Sequence, residues 1–249
     1  VAGIGAGYFA QFHYGAWANL AGVQPLAAMD QDLTKAEATG LAAFTDAEKM
    51  LDACAPDIVD IITPPPTHAA MVHLALERAP KAIICQKPFC QSLEEATATA
   101  NAAKAAGVPL VIHENFRFQP WYRAMKSALD AGAVGDLHQM SFRLRPGDGQ
   151  GPQAYLDRQP YFQDMERFLI RETAVHWVDT FRYLMGPTEA VFADLRRMNP
   201  AIAGEDAGTV LFYHTGGRRS LFDGNRHLAH AAENLRWTMG EALVDGTGG

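Results

Sequence analysis

Residues 1–5 are apolar and of strand length, and they run without a linker into Ala6-Gly7-Tyr8-Phe9-Ala10, which reads as the opening of a helix. A strand that ends in Gly-x-Gly and turns at once into a helix leaves few folds open. The first glycine, Gly5, permits the tight turn, and Gly7 lets another group approach the backbone closely. A small residue at Ala10 lets helix and strand pack together. The helix then aims its unpaired N–H groups and the positive end of its dipole beyond the strand. The group that suits such a turn is the pyrophosphate of a dinucleotide, although a glycine-rich turn without a ligand has the same local sequence.

The first half repeats this alternation. Strand-length apolar runs recur at 24–30, 41–44, 58–63, 81–86 and 109–114, with helical segments between them. Thr45 with Glu48, and Ser92 with Glu95, fit the capping box. The helix from Ser92 stops at Gly107, with Pro109 just beyond. Strands in this order need crossover connections, so the prediction is a doubly wound parallel sheet with helices on both faces.

After Phe116 the spacing changes. A helix near 121–131 ends at Gly132, and 137–144, 190–196, 209–214 and 218–222 read as strands, the last two joined by a turn at Thr215-Gly216-Gly217. One long helix, 171–185, interrupts them and stops at Gly186-Pro187. The expected organisation is a dinucleotide-binding domain over 1–117 and a second α/β domain over 118–249, built on a large open, mostly antiparallel sheet. Gly246-Thr247-Gly248-Gly249 reads as a turn into a further strand, which predicts a C-terminally incomplete domain with an unpaired sheet edge.

Composition narrows the function classes. A chain of 249 residues, 48% hydrophobic, needs no disulfide framework or structural metal to bury a core. A formal net charge of -7 argues against a sequence-independent nucleic-acid binder, which needs clustered Lys and Arg. Cys54, Cys85 and Cys90 form an odd, sparse set that suits a reducing cytoplasm. No apolar run approaches the roughly 18–20 residues of a membrane helix, so neither nucleic acid nor membrane is an expected partner.

Three further features carry chemistry. Asp30 ends the second strand 23 residues after Gly7, where a carboxylate can accept from ribose hydroxyls and repel a 2′-phosphate, favouring NAD over NADP. Lys87 follows the fifth strand, on the edge of a parallel sheet where ligands bind, and Pro88 restricts its backbone. On the helix 171–185, Glu172, His176, Asp179 and Tyr183 share one stripe at about 100° per residue. Imidazole suits proton abstraction near neutrality, and a carboxylate one turn away can polarise it. The same stripe can be a solvated face. A metal held by Glu172 and His176 lacks a second ligand set, so no metal is expected.

Residues 5–10, the loop Thr63-Pro64-Pro65-Pro66-Thr67-His68, Gln86-Lys87-Pro88, Asn115-Phe116-Arg117 and the stretch 172–179, taken in this order, resemble the Gfo/Idh/MocA oxidoreductases. The resemblance implies a Rossmann domain joined to an α/β domain whose open sheet forms homo-oligomer interfaces. It implies NAD contacts from Gly5, Gly7, Tyr8, Phe9, Ala10, Asp30, Thr63, Pro64, His68, Gln86 and Lys87. It further implies oxidation of a sugar, cyclitol or related polyol, with His176 taking the hydroxyl proton and Lys87 holding the same oxygen. Glu172 or Asp179 would orient His176, and Asn115, Arg117, Tyr161 and Arg171 are candidates for substrate contact. Two positions depart from the family pattern: Gln86 stands for its usual glutamate, and Glu172 for its usual aspartate. D-apiose is one candidate substrate among several. An NAD-dependent glycosidase that oxidises transiently, and a dinucleotide-binding regulator without turnover, are the alternatives.

Overall fold

The structure is a computed structural model that describes residues 1–249, and the chain divides into two units, Val1–His113 and Glu114–Gly249. Asn115, Phe116 and Arg117 thus fall with the second unit, slightly ahead of the expected break at 117.

In the first unit, β1 (Ala2–Ile4), β2 (Ala27–Met29), β3 (Ala42–Phe44), β4 (Ile58–Ile61), β5 (Ala82–Gln86) and β6 (Leu110–His113) form a parallel sheet in the order β3-β2-β1-β4-β5-β6. The crossovers carry α1 (Ala10–Ala18), α2 (Leu33–Glu37), α3 (Ala47–Cys54), α4 (His68–Leu76) and α5 (Leu93–Ala105). Strand order reverses beside β1, the switch point where doubly wound sheets bind ligands. Ile4, Val59, Ile61 and Ile83 on the strands are fully buried together with Met50 and Val72 from the helices. Each such side chain contributes about 1.5–3 kcal/mol by leaving water. At α5, Ser92 Oγ accepts from Glu95 N–H at 3.1 Å as expected, while the Glu95 carboxylate accepts from Gln91 N–H, one residue ahead of the cap, at 2.6 Å. At α3 the expectation fails by one residue. Asp46, rather than Thr45, accepts from Lys49 N–H at 3.0 Å, because a carboxylate is the better N-terminal acceptor.

The second unit comprises α6 (Pro120–Asp130), β7 (Leu137–Leu144), α7 (Val175–Met185), β8 (Thr188–Arg196), β9 (Ala207–His214), β10 (Arg219–Asn225), α8 (Leu235–Thr238) and β11 (Gly240–Gly246). Its sheet runs β11-β7-β10-β9-β8, and it is mixed: β7 and β10 pair in parallel, while the other three pairings are antiparallel. β11, absent from the sequence reading, pairs antiparallel along β7, and the turn that follows it is pinned by Thr247 N–H to Asp136 O at 3.0 Å. Trp177 and Phe181 of α7 are fully buried, with Trp177 stacked 4.1 Å from Phe142. The indole N–H of Trp177 donates to the Tyr122 hydroxyl at 3.0 Å. The single helix expected over 171–185 is instead two windings, a π-helical segment Leu169–Ala174 followed by α7. The i→i+5 winding changes the angle between successive residues before Val175, so the spacing of about 100° per residue does not apply at Glu172.

Candidate active site

Gly5 adopts φ +111°, and a Cβ there would lie 2.9 Å from the Ile62 carbonyl carbon and oxygen, so glycine is required. Gly7 differs: a Cβ would meet nothing within 4 Å. Packing does not demand this second glycine, and its lack of a side chain keeps the backbone approachable from outside. α1 begins at the buried Ala10 with no side-chain acceptor at its N-cap Phe9 and no acidic residue in its first turn. Its leading N–H groups and dipole therefore suit an anion.

Asp30 stands beside this loop. One carboxylate oxygen accepts from Ala6 N–H at 2.9 Å and the other from Asp32 N–H at 3.0 Å. Each oxygen retains lone-pair capacity for a hydroxyl. The open backbone at Gly7, the uncapped helix and this held carboxylate together fit the pyrophosphate and ribose of NAD. Tyr14, which the sequence reading missed, donates its hydroxyl to Gly5 O at 3.0 Å. Burial, then the carboxylates of Asp60 and Asp30, raise its pKa strongly, so it stays a donor. Tyr8 and Phe9 are exposed and cluster with Phe12.

The proline-rich loop is braced from inside. His68 is fully buried, with Nε2 2.7 Å from Thr63 O, and Thr67 Oγ lies 2.7 Å from Thr63 Oγ. His68 therefore braces the loop that carries Thr63 and Pro64. Gln86 is likewise turned into the protein. It is 7% exposed, its Nε2 lies 2.7 Å from His13 Nε2 and 3.1 Å from His113 Nδ1, and its Oε1 accepts from Lys87 N–H at 2.9 Å. Both amide hydrogens are directed at protein ring nitrogens, so the amide faces inward. Lys87 follows at the carboxyl end of β5, and the Lys87–Pro88 peptide is cis.

In the second unit, His176 lies in the first turn of α7 and is 8% exposed. Its Nδ1 lies 2.8 Å from both carboxylate oxygens of Glu114, and its ring stacks on Phe116 at 3.8 Å with an interplanar angle of 4°. The carboxylate on this imidazole is thus Glu114, which the sequence reading did not consider. Asp179, expected to orient His176, instead accepts from both Nε and Nη2 of Arg117. That pairing raises the Arg117 pKa and places the guanidinium 5.2 Å over the Tyr183 ring. Arg117 was expected to reach substrate, and the ion pair holds it on α7.

Glu172 is buried and Arg171 half-buried on the π-helical segment. The Tyr161 hydroxyl, which accepts from Gln159 Nε2 at 3.2 Å, has its pKa raised by desolvation and then by the Glu172 carboxylate. Arg226, unmarked in the sequence, fastens this segment from β10's end. Its buried guanidinium donates to Asp148 at 3.1 and 2.8 Å and to the Thr173 hydroxyl, beneath the rings of Tyr155 and Phe168. No local pattern distinguishes such an arginine from a surface one.

Family models match both units. The NAD-binding Rossmann fold of the GFO/IDH/MocA oxidoreductase family covers residues 1–114, and the GFO/IDH/MocA C-terminal domain covers 122–249. The chain is 38% identical over 253 residues to a D-apiose dehydrogenase of Paraburkholderia graminis, covering 99% of this chain and 65% of the relative. It is 33% identical to a D-apiose dehydrogenase of Rhizobium rhizogenes, covering 97% of this chain and 69% of the relative. A crystal structure of an oxidoreductase from Agrobacterium radiobacter, in complex with NAD+, L-tartaric acid and magnesium, superimposes with a TM-score of 0.89 at 33% identity. It covers 99% of this chain and 71% of that one. The chain therefore spans about two thirds of the length of these relatives, and it belongs to the GFO/IDH/MocA oxidoreductase family. Its first unit is an NAD-binding Rossmann fold. No helix is long and apolar enough to cross a membrane.

Proposed function

We propose that the protein is an NAD-dependent dehydrogenase that oxidises a hydroxyl-bearing carbon of a sugar, cyclitol or related polyol. The observation that carries this reading is the His176–Glu114 pair, a buried imidazole whose Nδ1 meets a carboxylate at 2.8 Å. With Nδ1–H donated to Glu114, Nε2 is the basic nitrogen and takes the proton of the substrate hydroxyl. Glu114 then stabilises the resulting imidazolium, and the stacked Phe116 holds the ring in plane. Lys87, in the first unit, holds a substrate oxygen and offsets negative charge developing on it.

NAD, when bound, supplies the hydride acceptor. Gly5, Gly7 and Ala10 would hold its pyrophosphate and Asp30 its ribose, with Thr63 and Pro64 on the neighbouring loop. A carboxylate at Asp30, followed by Gln31 and Asp32, favours NAD over NADP. Asn115, Glu172, Arg171 and Tyr161 are the polar groups of the second unit proposed to select the substrate. The names of the two relatives make D-apiose the first compound to try. The exposed Val191 and Phe192 on β8 support association of copies through the second sheet.

The test is a panel of pentoses, hexoses, cyclitols and their glycosides with NAD, following NADH and glycoside cleavage together. The proposal expects stoichiometric NADH from a free sugar or polyol. Glycoside cleavage without net NADH would assign transient oxidation instead, and tight NAD binding without turnover across the panel would assign a regulatory role.

A further inference from the structure

The first unit contains a connected set of polar side chains behind Lys87. Asp60 on β4, His13 on α1 and Gln86 on β5 are 0%, 5% and 7% exposed. Their hydrogen-bond directions can be assigned from one fixed point. Lys87 N–H can only donate, so the Gln86 atom 2.9 Å from it is the carbonyl oxygen, Oε1. The amide nitrogen then faces His13 Nε2 at 2.7 Å and His113 Nδ1 at 3.1 Å. An amide nitrogen donates two hydrogens and accepts none, so both ring nitrogens must present lone pairs. His13 consequently carries its hydrogen on Nδ1, which lies 2.8 Å from Asp60 Oδ2. The same oxygen accepts from the Trp17 indole N–H at 2.6 Å.

We propose that Asp60 and His13 are positioning residues for Lys87. The buried carboxylate selects the His13 tautomer, the tautomer selects which end of the Gln86 amide faces the ring, and the Gln86 carbonyl holds the Lys87 main chain. The inference rests on the reading of Lys87 as the group that holds the substrate oxygen. A second proton on His13 would set N–H against N–H at Gln86, and the amide would have to turn its nitrogen toward Lys87 N–H. The titratable groups around His13 are Asp60 from β4 and His113 from β6, whose ring centroid is 4.4 Å from that of His13. Tyr14 on α1 and Cys85 on β5 face Asp60.

Two measurements test this. Long-range 1H–15N spectra of histidine-labelled protein read the His13 tautomer directly, without turnover. The expected result is hydrogen on Nδ1 in the parent and loss of that preference in Asp60→Asn. The second is the pH profile of kcat in Gln86→Glu. A carboxylate there has no hydrogen to donate, so His13 must bring one on Nε2, and turnover should fall about tenfold or more as that added proton is lost on the alkaline side. NAD affinity should stay within about threefold of the parent, since the amide does not face outward. Hydrogen on His13 Nε2 in the parent, or a Gln86→Glu profile that matches the parent's with only a lower Tm, overturns the proposal and leaves a structural role. Full turnover in Lys87→Ala would overturn the reading of Lys87 instead, and the His13 spectrum would still report the network independently.

Discussion

His176 Nδ1 lies 2.8 Å from both carboxylate oxygens of Glu114, a contact between residues 62 positions apart in the chain. The two donor–acceptor distances are equal, so the N–H points between the oxygens and the ring has one favoured orientation. The pair also fixes which nitrogen can act as base.

Glu114→Gln preserves the shape of this contact and removes its charge. Hydrogen bonds to charged groups contribute about 1.5–3 kcal/mol, so kcat should fall about 10- to 100-fold. The KM for NAD should change little. A stopped assay for NADH across NAD concentrations separates the two effects, and an unchanged kcat would remove Glu114 from the mechanism.

The two glycines of the nucleotide loop should behave differently. Gly5→Ala forces a side chain into a φ of +111° and against the Ile62 carbonyl, so stability should fall by roughly 1–3 kcal/mol. Gly7→Ala meets open space and should leave Tm nearly unchanged. It should nonetheless weaken NAD binding by about tenfold, or roughly 1.4 kcal/mol. Thermal melts with and without NAD distinguish these outcomes.

Asp30→Ala removes the acceptor aimed by Ala6 N–H and Asp32 N–H. Loss of hydrogen bonds to a charged group is worth about 1.5–3 kcal/mol, so NAD affinity should drop about 10- to 100-fold. The preference against NADP should narrow, because the repulsion of a 2′-phosphate is gone. Parallel titrations with both cofactors measure this, and an unchanged NAD/NADP ratio would count against the assignment.

Stability should also depend on pH through His214. Its Nδ1 lies 3.0 Å from Gly186 O and its Nε2 2.8 Å from Ser220 Oγ, an arrangement that suits the neutral ring. Burial lowers its pKa below the ordinary 6.5. The unfolded chain therefore binds the proton more readily, and the stabilisation is present above pH 6.5 and lost as pH falls through 6.5 toward the folded value. Denaturant midpoints between pH 7.5 and 5.5 should fall more steeply in the parent than in His214→Gln. Equal slopes would contradict this.

Local pattern carried much of this architecture, and long-range pairing carried the rest. The strand-end positions of residues 5–10, Asp30 and Lys87 are legible because periodicity and turn chemistry are written within a few neighbours. Glu114 was not, since nothing near it in sequence shows that His176 will fold onto it. Alternation marks β7 and β10 as strands, yet it is identical for parallel and antiparallel partners, so their parallel pairing was hidden. The π-helical winding at Leu169–Ala174 has no compositional signature, so the α-helical spacing assumed for Glu172 does not hold there. His13 and Gln86, 73 positions apart, illustrate the same limit. Their residue types signal nothing until the sheet brings β5 beside α1.

The most direct test of the central claim is a single-turnover measurement of NADH formation, with enzyme in excess over the best sugar or polyol, in the parent and in His176→Ala. NAD affinity is measured in parallel by fluorescence titration. General-base catalysis typically contributes about 10²- to 10⁴-fold, so His176→Ala should lose at least about 100-fold in the rate of NADH formation while binding NAD as the parent does. A His176→Ala rate within a few-fold of the parent, at equal NAD occupancy, would contradict the assignment of His176 as the group that takes the hydroxyl proton.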